Sequence, residues 1–428
     1  MKPEIYAIQR GRSGWKLSRR DLAAAAAVAG AATMPGCGPP CQGAAAHGRS
    51  IESLAFGPDG RLLASGSADH TVKLWSLPDG ALLKTLKGHS NSAHSVAISP
   101  DGLVLVSGSR DWTIKLWSLP DGALLKTLTG HSAPVHSVAI GADGRSLASG
   151  SFDKTVKLWS LPDGALVKTI AGKSGWVFSV AVSPDGRLLA SGSDDNTTKP
   201  WSLPAEDRQS APEASVVLSY AIELWSMPDG VLLKTLAGGE PPLVIGPAGR
   251  LLASGSTDGT IKLWSLPDGA LRKTLNGSSH AVYSVAISPD GKLLASGGWD
   301  KTISLWSLPD GALLKTLPGH AYSVNSVAIG PNGRLLASGG SDGTIKLWSL
   351  PDGKPLSTCL MDLDASTTDA KGIRYTRGGN SFTQGCGSPD PAGAVCTCNC
   401  VPGKLCPCVG HTSGGGGGGG GGHYWYPN

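Results

Sequence analysis

Charged residues are scarce in this sequence, and neither sign is in large excess. Asp, Glu, Lys and Arg make up 16% of the 428 residues, with 37 basic residues against 32 acidic ones. The lysines recur at one place in successive copies of a motif, as at Lys73, Lys115 and Lys157, so they are spread along the chain. A nucleic-acid-binding surface needs clustered positive charge. We therefore expect no nucleic-acid partner.

Long apolar runs are also missing. The alanine-rich segment Leu22–Ala32 has 11 residues, whereas a transmembrane helix needs about 20, so no transmembrane span is expected. Six basic residues precede it, and Ser18-Arg19-Arg20-Asp21-Leu22 resembles the core of a twin-arginine export signal. Residues 1–47 are interpreted as an export-signal-like leader and linker that directs the protein to the periplasm or cell envelope. A chance Arg-Arg pair in a cytoplasmic protein is the alternative, and cleavage or lipidation at Cys37 stays open.

Cysteine is absent from Ser50 to Thr358 but abundant afterwards, in the Cys/Gly-rich tail of residues 361–428. Five thiols fall within thirteen positions of this tail, and zinc needs four such ligands. The candidate metal ligands are Cys396, Cys398, Cys400, Cys406, Cys408 and His411. Disulfides compete with zinc if the protein is exported, and enzymatic modification of a disordered tail is a third reading. No cofactor is certain, and zinc is the possible one.

The 61 glycines and 30 prolines favour many tight turns and an all-β fold over long helices. A Trp within a Leu-Trp-Ser or similar motif recurs at a nearly fixed period, with separations of 42, 42, 42, 24, 39, 42 and 42 residues: Trp75, Trp117, Trp159, Trp201, Trp225, Trp264, Trp306 and Trp348. Such a period indicates a repeat architecture. One unit, from Val135 to Gly172, contains four short strands separated by Gly and Asp turns. Its large apolar side chains are too many for one buried face, so the sheets must stack on their neighbours.

The repeated letters resemble a known family. Gly-His before the first strand, Ser-Pro-Asp-Gly, Leu-Ala-Ser-Gly-Ser-x-Asp-x-Thr and Lys-Leu-Trp-Ser are similar to the WD40 repeat, in the form with near-identical copies found in bacterial members. The resemblance implies a β-propeller, which we place at residues 48–360.

The number of blades follows from the strands. First and last strands each number seven, so a seven-bladed propeller is predicted, with the eighth Trp inside an insertion at about residues 196–220 of blade four. Pro200 cannot donate to a central ladder, so Ile222–Met227 is the better third strand and residues 196–220 are expected to form a long loop. An eight-bladed ring with one degenerate blade is the alternative.

The resemblance also implies a buried hydrogen-bond chain of His, Ser, Asp and Trp in blades that carry all four letters. The sets are His47, Ser65, Asp69 and Trp75; His89, Ser107, Asp111 and Trp117; His131, Ser149, Asp153 and Trp159; and His320, Ser338, Asp342 and Trp348. A catalytic triad would occur once, in a cleft. Because these sets recur with the fold, we interpret them as structural and expect no enzyme.

The positions that differ among the copies predict the functional surface. In this family the loop before the first strand and the loop between the second and third strands share one end of the ring. The residues that vary there form the candidate protein-binding face: Arg110, Trp112, His136, Phe152, Trp176, Phe178, Tyr283, Trp299 and Tyr322. Aromatic residues with an Arg are typical of interface hot spots.

We expect a scaffold that binds a protein or peptide at this end. The alternatives are that these rings pack only on neighbouring loops, or that the Cys/His tail makes the protein a metal-handling or redox protein. Partner identity and oligomeric state do not follow from the sequence.

Overall fold

A computed structural model describes residues 46–171, 175–199, 217–276 and 280–356, together with four short strands between residues 376 and 411. For residues 195–199, 217–219 and the four short strands only the backbone is described. The leader, its twin-arginine-like motif and Cys37 lie outside the described residues. In the described part of the chain, no helix is long and apolar enough to cross a membrane.

Seven antiparallel sheets of four strands make up the propeller, and each sheet is built from consecutive strands. Blade one contains β1 Ile51–Phe56, β2 Leu62–Ser67, β3 Val72–Ser76 and β4 Leu82–Leu86. Blade two contains β5 Ala93–Ile98, β6 Val104–Ser109, β7 Ile114–Ser118 and β8 Leu124–Leu128. Blade three contains β9 Val135–Ile140, β10 Ser146–Ser151, β11 Thr155–Ser160 and β12 Leu166–Ala171. Blades four and five are β13 Val177–Val182, β14 Leu188–Lys199, β15 Val217–Ser226, β16 Leu232–Ala237; and β17 Leu243–Ile245, β18 Leu251–Gly255, β19 Thr260–Ser265, β20 Leu271–Asn276. Blades six and seven are β21 Val282–Ile287, β22 Leu293–Gly298, β23 Thr302–Ser307, β24 Leu313–Pro318; and β25 Val324–Ile329, β26 Leu335–Gly340, β27 Ile345–Ser349, β28 Lys354–Pro355. The prediction of an all-β, seven-bladed propeller is confirmed, and the eight-bladed alternative is wrong.

The hydrophobic core lies between the blades rather than within them. Trp117 of blade two packs with Val72 and Leu74 of blade one, and Trp225 of blade four packs with Val156 and Leu158 of blade three. Each sheet therefore completes its burial only against a neighbour, as stacked repeats do.

The first and last blades meet in the same way. Ile51 and Trp75 of blade one share a buried cluster with Ile345 and Leu347 of blade seven. No strand is exchanged between these two sheets in the described chain, because β25 to β28 are consecutive. Side-chain packing and hydrogen bonds, among them one from Asn325 Nδ2 to the Ile51 carbonyl at 3.0 Å, therefore join the first and last blades. The outer strand of blade seven is described as Lys354–Pro355, and residues 357–360 lie outside the described chain.

A ring of serine hydroxyls joins the blades near the central axis. The hydroxyl Oγ of the first-strand Ser in one blade accepts a hydrogen bond from a backbone N–H in the first strand of the next. The bonds are Val96 to Ser53, Val138 to Ser95, Val180 to Ser137, Leu243 to Ser179, Val327 to Ser284 and Leu54 to Ser326, all at 3.0 to 3.1 Å. The junction between blades five and six differs. There the carbonyl of Pro242 accepts a hydrogen bond from the Gly255 N–H, which places Pro242 at the strand position that Ser53 has in blade one. Pro242 therefore replaces the Ser and has no hydroxyl.

The prediction of a long loop at residues 196–220 is wrong at both ends. Strand β14 continues to Lys199 and β15 begins at Val217, and the two remain paired at Thr198↔Leu218 and Lys199↔Val217. Thr, Val and Tyr favour extended backbone, and these residue types flank the insertion, so the ladder continues beyond the other blades. Trp225 lies in the third strand, as expected from the Pro200 argument.

Two hairpins are described in the C-terminal tail. Strand β29 Thr376–Gly378 pairs with β30 Ser381–Thr383, and β31 Val395–Cys398 pairs with β32 Cys408–His411.

The serine ring generates a stability prediction. Ser95→Ala removes the acceptor of the buried Val138 N–H, so we expect the free energy of unfolding to fall by about 1 to 3 kcal/mol. The measurement is the urea midpoint at constant m-value. Ser90→Ala, which removes an exposed hydroxyl of the same blade, is the control and should change stability by less than about 0.5 kcal/mol. Equal midpoints for the two variants would contradict a stabilising role for the ring.

Candidate functional site

The second residue of successive first strands forms a circle around the central axis. At this position the chain carries Glu52, His94, His136, Phe178, Tyr283 and Asn325. They line a cavity of 430 Å³ together with side chains from all seven blades. The cavity therefore opens among residues that differ from copy to copy, while the serines beside them repeat.

Four rings form a continuous stack that runs across three blades. Neighbouring ring centroids lie 4.8 Å apart for His94 and His136, 5.1 Å for His136 and Phe152, and 5.1 Å for Phe152 and Trp176. Phe178 meets His136, Phe152 and Trp176 edge-on, at centroid distances of 5.4, 5.1 and 6.5 Å. Offset and edge-on ring pairs add to the stability gained by burial. His136, Phe152 and Phe178 are thus half-buried members of a packed ladder, as the packing alternative supposed.

Five of the predicted rings are exposed, among them Trp176 at the end of the stack. The exposed fractions are 52% for Trp112, 47% for Trp176, 40% for Tyr283, 57% for Trp299 and 62% for Tyr322. Tyr283 and Trp299 meet edge-on at 6.4 Å, and Lys301 Nζ lies 5.8 Å from the ring centroid of Tyr322. The predicted face therefore contains a packed ladder and an exposed rim of five aromatic rings.

Glu52, His94 and Arg110 form a polar group beside the ladder. Burial raises the pKa of Glu52, although its carboxylate accepts a hydrogen bond from the Ser50 hydroxyl at 2.5 Å. Burial, followed by the nearby His136 and Arg110, lowers the pKa of His94 to about 3. His94 Nδ1 lies 3.8 Å from Glu52 Oε2. This distance is too long for a hydrogen bond, and His94 is neutral at pH 7, so the two groups are not an ion pair.

The recurring His, Ser, Asp and Trp residues are joined in four blades. In blade two, His89 Nδ1 lies 2.8 Å from Asp111 Oδ2, His89 Nε2 lies 2.7 Å from Ser107 Oγ, and Trp117 Nε1 donates to Ser107 Oγ at 2.9 Å. The sets of His47, His131 and His320 have the same contacts, at 2.6 to 3.0 Å. A carboxylate only accepts, so Nδ1 donates to Asp and the Ser hydroxyl donates to Nε2. The four serines are fully buried, which leaves them unable to meet a substrate.

The carboxylates in these sets remain ionised. Burial alone would raise the pKa of Asp111, but hydrogen bonds from His89 and Thr113 outweigh burial and hold that pKa well below its ordinary value. Asp69, Asp153 and Asp342 are held low in the same way. Their oxygens are therefore occupied by donors of the same blade.

Blades four, five and six keep the bond between Trp and Ser. Trp225, Trp264 and Trp306 donate to the Oγ of Ser191, Ser254 and Ser296 at 2.8, 3.0 and 3.1 Å. At or near the position of the His, these three blades carry Lys173, Gly239 and Ser278. Gly239 has no side chain, and Lys173 and Ser278 lie outside the described residues.

Sequence reasoning missed a strained corner between the second and third strands. The residue after the turn Asp has a positive φ in six blades: 71° at His70, 70° at Trp112, 69° at Lys154, 84° at Gly259, 68° at Lys301 and 72° at Gly343. Its N–H bonds the carbonyl three residues back, as Lys154 does to Ser151 at 3.2 Å. A positive φ suits Gly and costs other residues roughly 1 to 2 kcal/mol. Two blades use Gly, whereas four keep a side chain. The sequence does contain a signal for this positive φ, because the corner position is Gly in two copies and a larger residue in four.

The proposed metal ligands of the tail are only partly described. In the pairing of β31 with β32, Cys398 lies opposite Cys408, Cys396 opposite Gly410, and Val395 opposite His411. Cys400 and Cys406 lie outside the described residues. Among the residues whose side chains are described, no three His, Cys, Asp or Glu residues come close enough to hold a metal ion.

The corners generate a second stability prediction. Lys154→Gly and Lys301→Gly should each raise the free energy of unfolding by about 0.5 to 1 kcal/mol, because relief of the positive φ exceeds the entropy cost of glycine. The matched controls are Lys154→Ala and Lys301→Ala, which shorten the side chain but keep a Cβ. Urea unfolding measures the difference, and Gly variants no more stable than the Ala variants would show that the corners carry no strain.

Comparison with known proteins places this architecture in a family. The family described as "WD domain, G-beta repeat" matches residues 40–76, 80–118, 122–160, 164–200, 243–265, 269–307 and 311–349. The fourth match ends in the insertion, although β15 supplies the third strand of blade four. Protein Mut11 of Chlamydomonas reinhardtii is 51% identical over 39 residues, 9% of this chain and 10% of that protein. Transducin beta-like protein 3 of Bos taurus is 50% identical over 42 residues, 10% of this chain and 5% of that protein. The chain thus spans a tenth or less of the length of these relatives. Because the seven family matches cover more than half of the sequence and coincide with a seven-bladed propeller, the chain belongs to the WD40 repeat family.

Proposed function

We propose that this protein is a non-enzymatic interaction scaffold that binds a protein or peptide at the aromatic end of the propeller. The observation that carries the proposal is the rim of five exposed Trp and Tyr side chains at the end of the propeller that also holds a 430 Å³ cavity, which Tyr283 helps to line. Trp and Tyr dominate the energetics of protein interfaces when a partner covers them. Propellers of this family are commonly interaction scaffolds.

The exposed apolar residues of the propeller are segregated, which supports this end as the binding surface. Exposed aliphatic side chains lie on the outer fourth strands, as at Leu125, Val167 and Leu314, and recur with the repeat. The exposed rings lie only at the end with the cavity, among the described residues, and do not recur. A specific partner needs a surface that differs from blade to blade, and only the aromatic end supplies one.

The reactive residue types are accounted for by the fold, which supports a non-enzymatic role. Every complete Ser, His and Asp set has a fully buried Ser. A nucleophile must reach its substrate. We therefore assign no catalytic residue in the propeller.

The Cys-rich tail supports a second candidate function, metal handling. The pairing that sets Cys398 opposite Cys408 favours it, because it brings two of the six candidate ligands to neighbouring strands. Zinc would be the group held, with thiolates as ligands. Export, predicted from the leader, would instead favour disulfides, and localisation stays a prediction.

Substitution of the exposed rim tests the proposed scaffold. Trp112→Ala, Trp299→Ala and Tyr322→Ala, combined, should reduce capture of the bound partner at least about tenfold, because hot-spot truncations cost about 2 kcal/mol or more. Phe178 is left intact because it packs in the ladder. The melting temperature should stay near that of the unmodified protein, since the three rings are exposed.

Quantitative mass spectrometry of proteins retained by immobilised variants is the measurement. A variant with Leu125, Val167 and Leu314 changed to Ala is the control, because it removes equally exposed apolar side chains from the outer strands. Proteins retained equally by both variants would contradict binding at the aromatic end.

Metal content tests the second candidate. The full chain, purified reduced and with zinc supplied, should retain one zinc ion, and Cys398→Ser with Cys408→Ser should lose it. Thiol titration of the same samples distinguishes the alternatives. Few free thiols and no zinc would favour disulfides. Free thiols without zinc would contradict both the zinc site and the disulfides.

A further inference from the structure

Three exposed cations lie on three different blades at the aromatic end, in the loops between the second and third strands. Arg110 precedes Trp112 in the corner turn of blade two, and Lys154 and Lys301 occupy the corners of blades three and six. All three side chains are exposed. Among the described residues, no carboxylate lies within 4.0 Å of any of them.

The two lysines are held at positions that disfavour them. Their φ values are 69° and 68°, and the same corner is Gly259 in blade five. Within the described part of the chain, Lys154 forms hydrogen bonds through its backbone alone, as in the bond from its N–H to the Ser151 carbonyl. Lys301 Nζ lies 5.8 Å from the centroid of the Tyr322 ring, so the cation at that corner has a contact within the fold. The Lys154 ammonium makes no hydrogen bond or ion pair with another described residue. Backbone strain at Lys154 that no contact of its side chain offsets points to a function at the surface.

The carboxylates of the same end are already occupied. Asp69, Asp111, Asp153 and Asp342 accept hydrogen bonds from His, Thr and backbone N–H groups of their own blades. Glu240 accepts from the backbone N–H and the hydroxyl of Thr257, both at 2.8 Å. The four Asp carboxylates remain ionised, but their side chains are only 6 to 17% exposed, whereas the three cations are exposed.

From this asymmetry we propose that the aromatic end binds an acidic segment of a protein partner. Its carboxylates meet Arg110, Lys154 and Lys301, and its apolar groups contact the exposed rings. Charge-assisted hydrogen bonds from Lys and Arg to carboxylates are the strongest of their kind. This inference rests on the proposed function and specifies the chemistry of the partner.

Single-stranded nucleic acid also combines negative charge with stacking, but the arrangement favours a peptide. The three cations lie on separate blades, two, three and six, and form no continuous positive groove. A single strand of nucleic acid is bound along a groove that follows its phosphate backbone. A peptide can place its carboxylates singly, one at each cation.

The test is peptide selection on the intact, full-length chain. A displayed library of random 12-residue peptides (about 12 residues covers such a face) is selected for binding, and the sequences are compared with the unselected library. We expect enrichment of Asp and Glu. A synthetic copy of the best peptide should bind at least about tenfold more weakly when its Asp and Glu become Asn and Gln.

Variants of the chain locate the contact. Lys154→Met with Lys301→Met keeps the corners strained but removes their charge, and should weaken the acidic peptide while leaving the melting temperature unchanged. Lys292→Glu, an exposed charge change in the turn at the other end of blade six, is the matched control and should leave binding unchanged. A labelled oligo-dT strand is tested in parallel, and its binding with displacement of the peptide would assign the face to nucleic acid and overturn the proposal.

The outcomes separate this inference from the proposed function. Selected peptides that lose binding to the variant of Trp112, Trp299 and Tyr322 but lack acidic enrichment would overturn the acidic partner and leave the scaffold intact. Peptides that bind this variant and the unmodified chain equally would overturn both. A library that yields no binder would also count against both.

Discussion

Every sheet of this propeller depends on the next one for its core. The Trp of each blade is buried against branched side chains of the preceding blade, and the cluster that joins blade seven to blade one is built in the same way. A single four-stranded sheet would expose both of its apolar faces to water. The ring is thus the smallest unit that buries them all. This constraint fixes the repeated letters and leaves the ends of the strands free to vary.

The side chains that differ from blade to blade lie at the aromatic end and take no part in the hydrophobic clusters between blades. Near the axis, one first-strand position is a repeated Ser that bonds the neighbouring blade, and the position before it is Glu, His, Phe, Tyr or Asn. Both kinds of residue line the cavity, as Glu52 and Ser53 do in blade one and His136 and Ser137 do in blade three. The ladder and the rim share Trp176. Their rings lie at the second position of the first strands, as at His94 and Tyr283, or in the loops at the same end, as at Phe152 and Trp299.

Much of this arrangement could be predicted from the sequence. The period of the Trp residues, the four strands of each unit and the substitution of Pro200 identified seven blades and the correct third strand of blade four. What periodicity cannot tell is how far a hairpin extends, so the paired segments at Lys199 and Val217 were missed. It also cannot separate rings that pack on one another from rings that face solvent. The sequence does not distinguish Phe152 from Trp176, since both are aromatic residues at positions that vary among the copies. In the structure, Phe152 is half-buried between two rings, and Trp176 lies at the end of the stack. The positive φ at Lys154 and Lys301 is a property of the turn, which no hydrophobic pattern reports.

The near-identity of the copies has a further consequence for how the ring finds its order. Seven interchangeable interfaces would allow a blade to dock on the wrong neighbour during folding, with little difference in energy between the correct and shifted arrangements. Blade five breaks this equivalence. Its Pro242 removes the hydroxyl that the other junctions share, and blade four carries long paired strands that no other blade matches. These two irregular blades distinguish one part of the ring from the rest. A shifted arrangement would place them at interfaces built for the regular blades, so the correct order of blades is favoured.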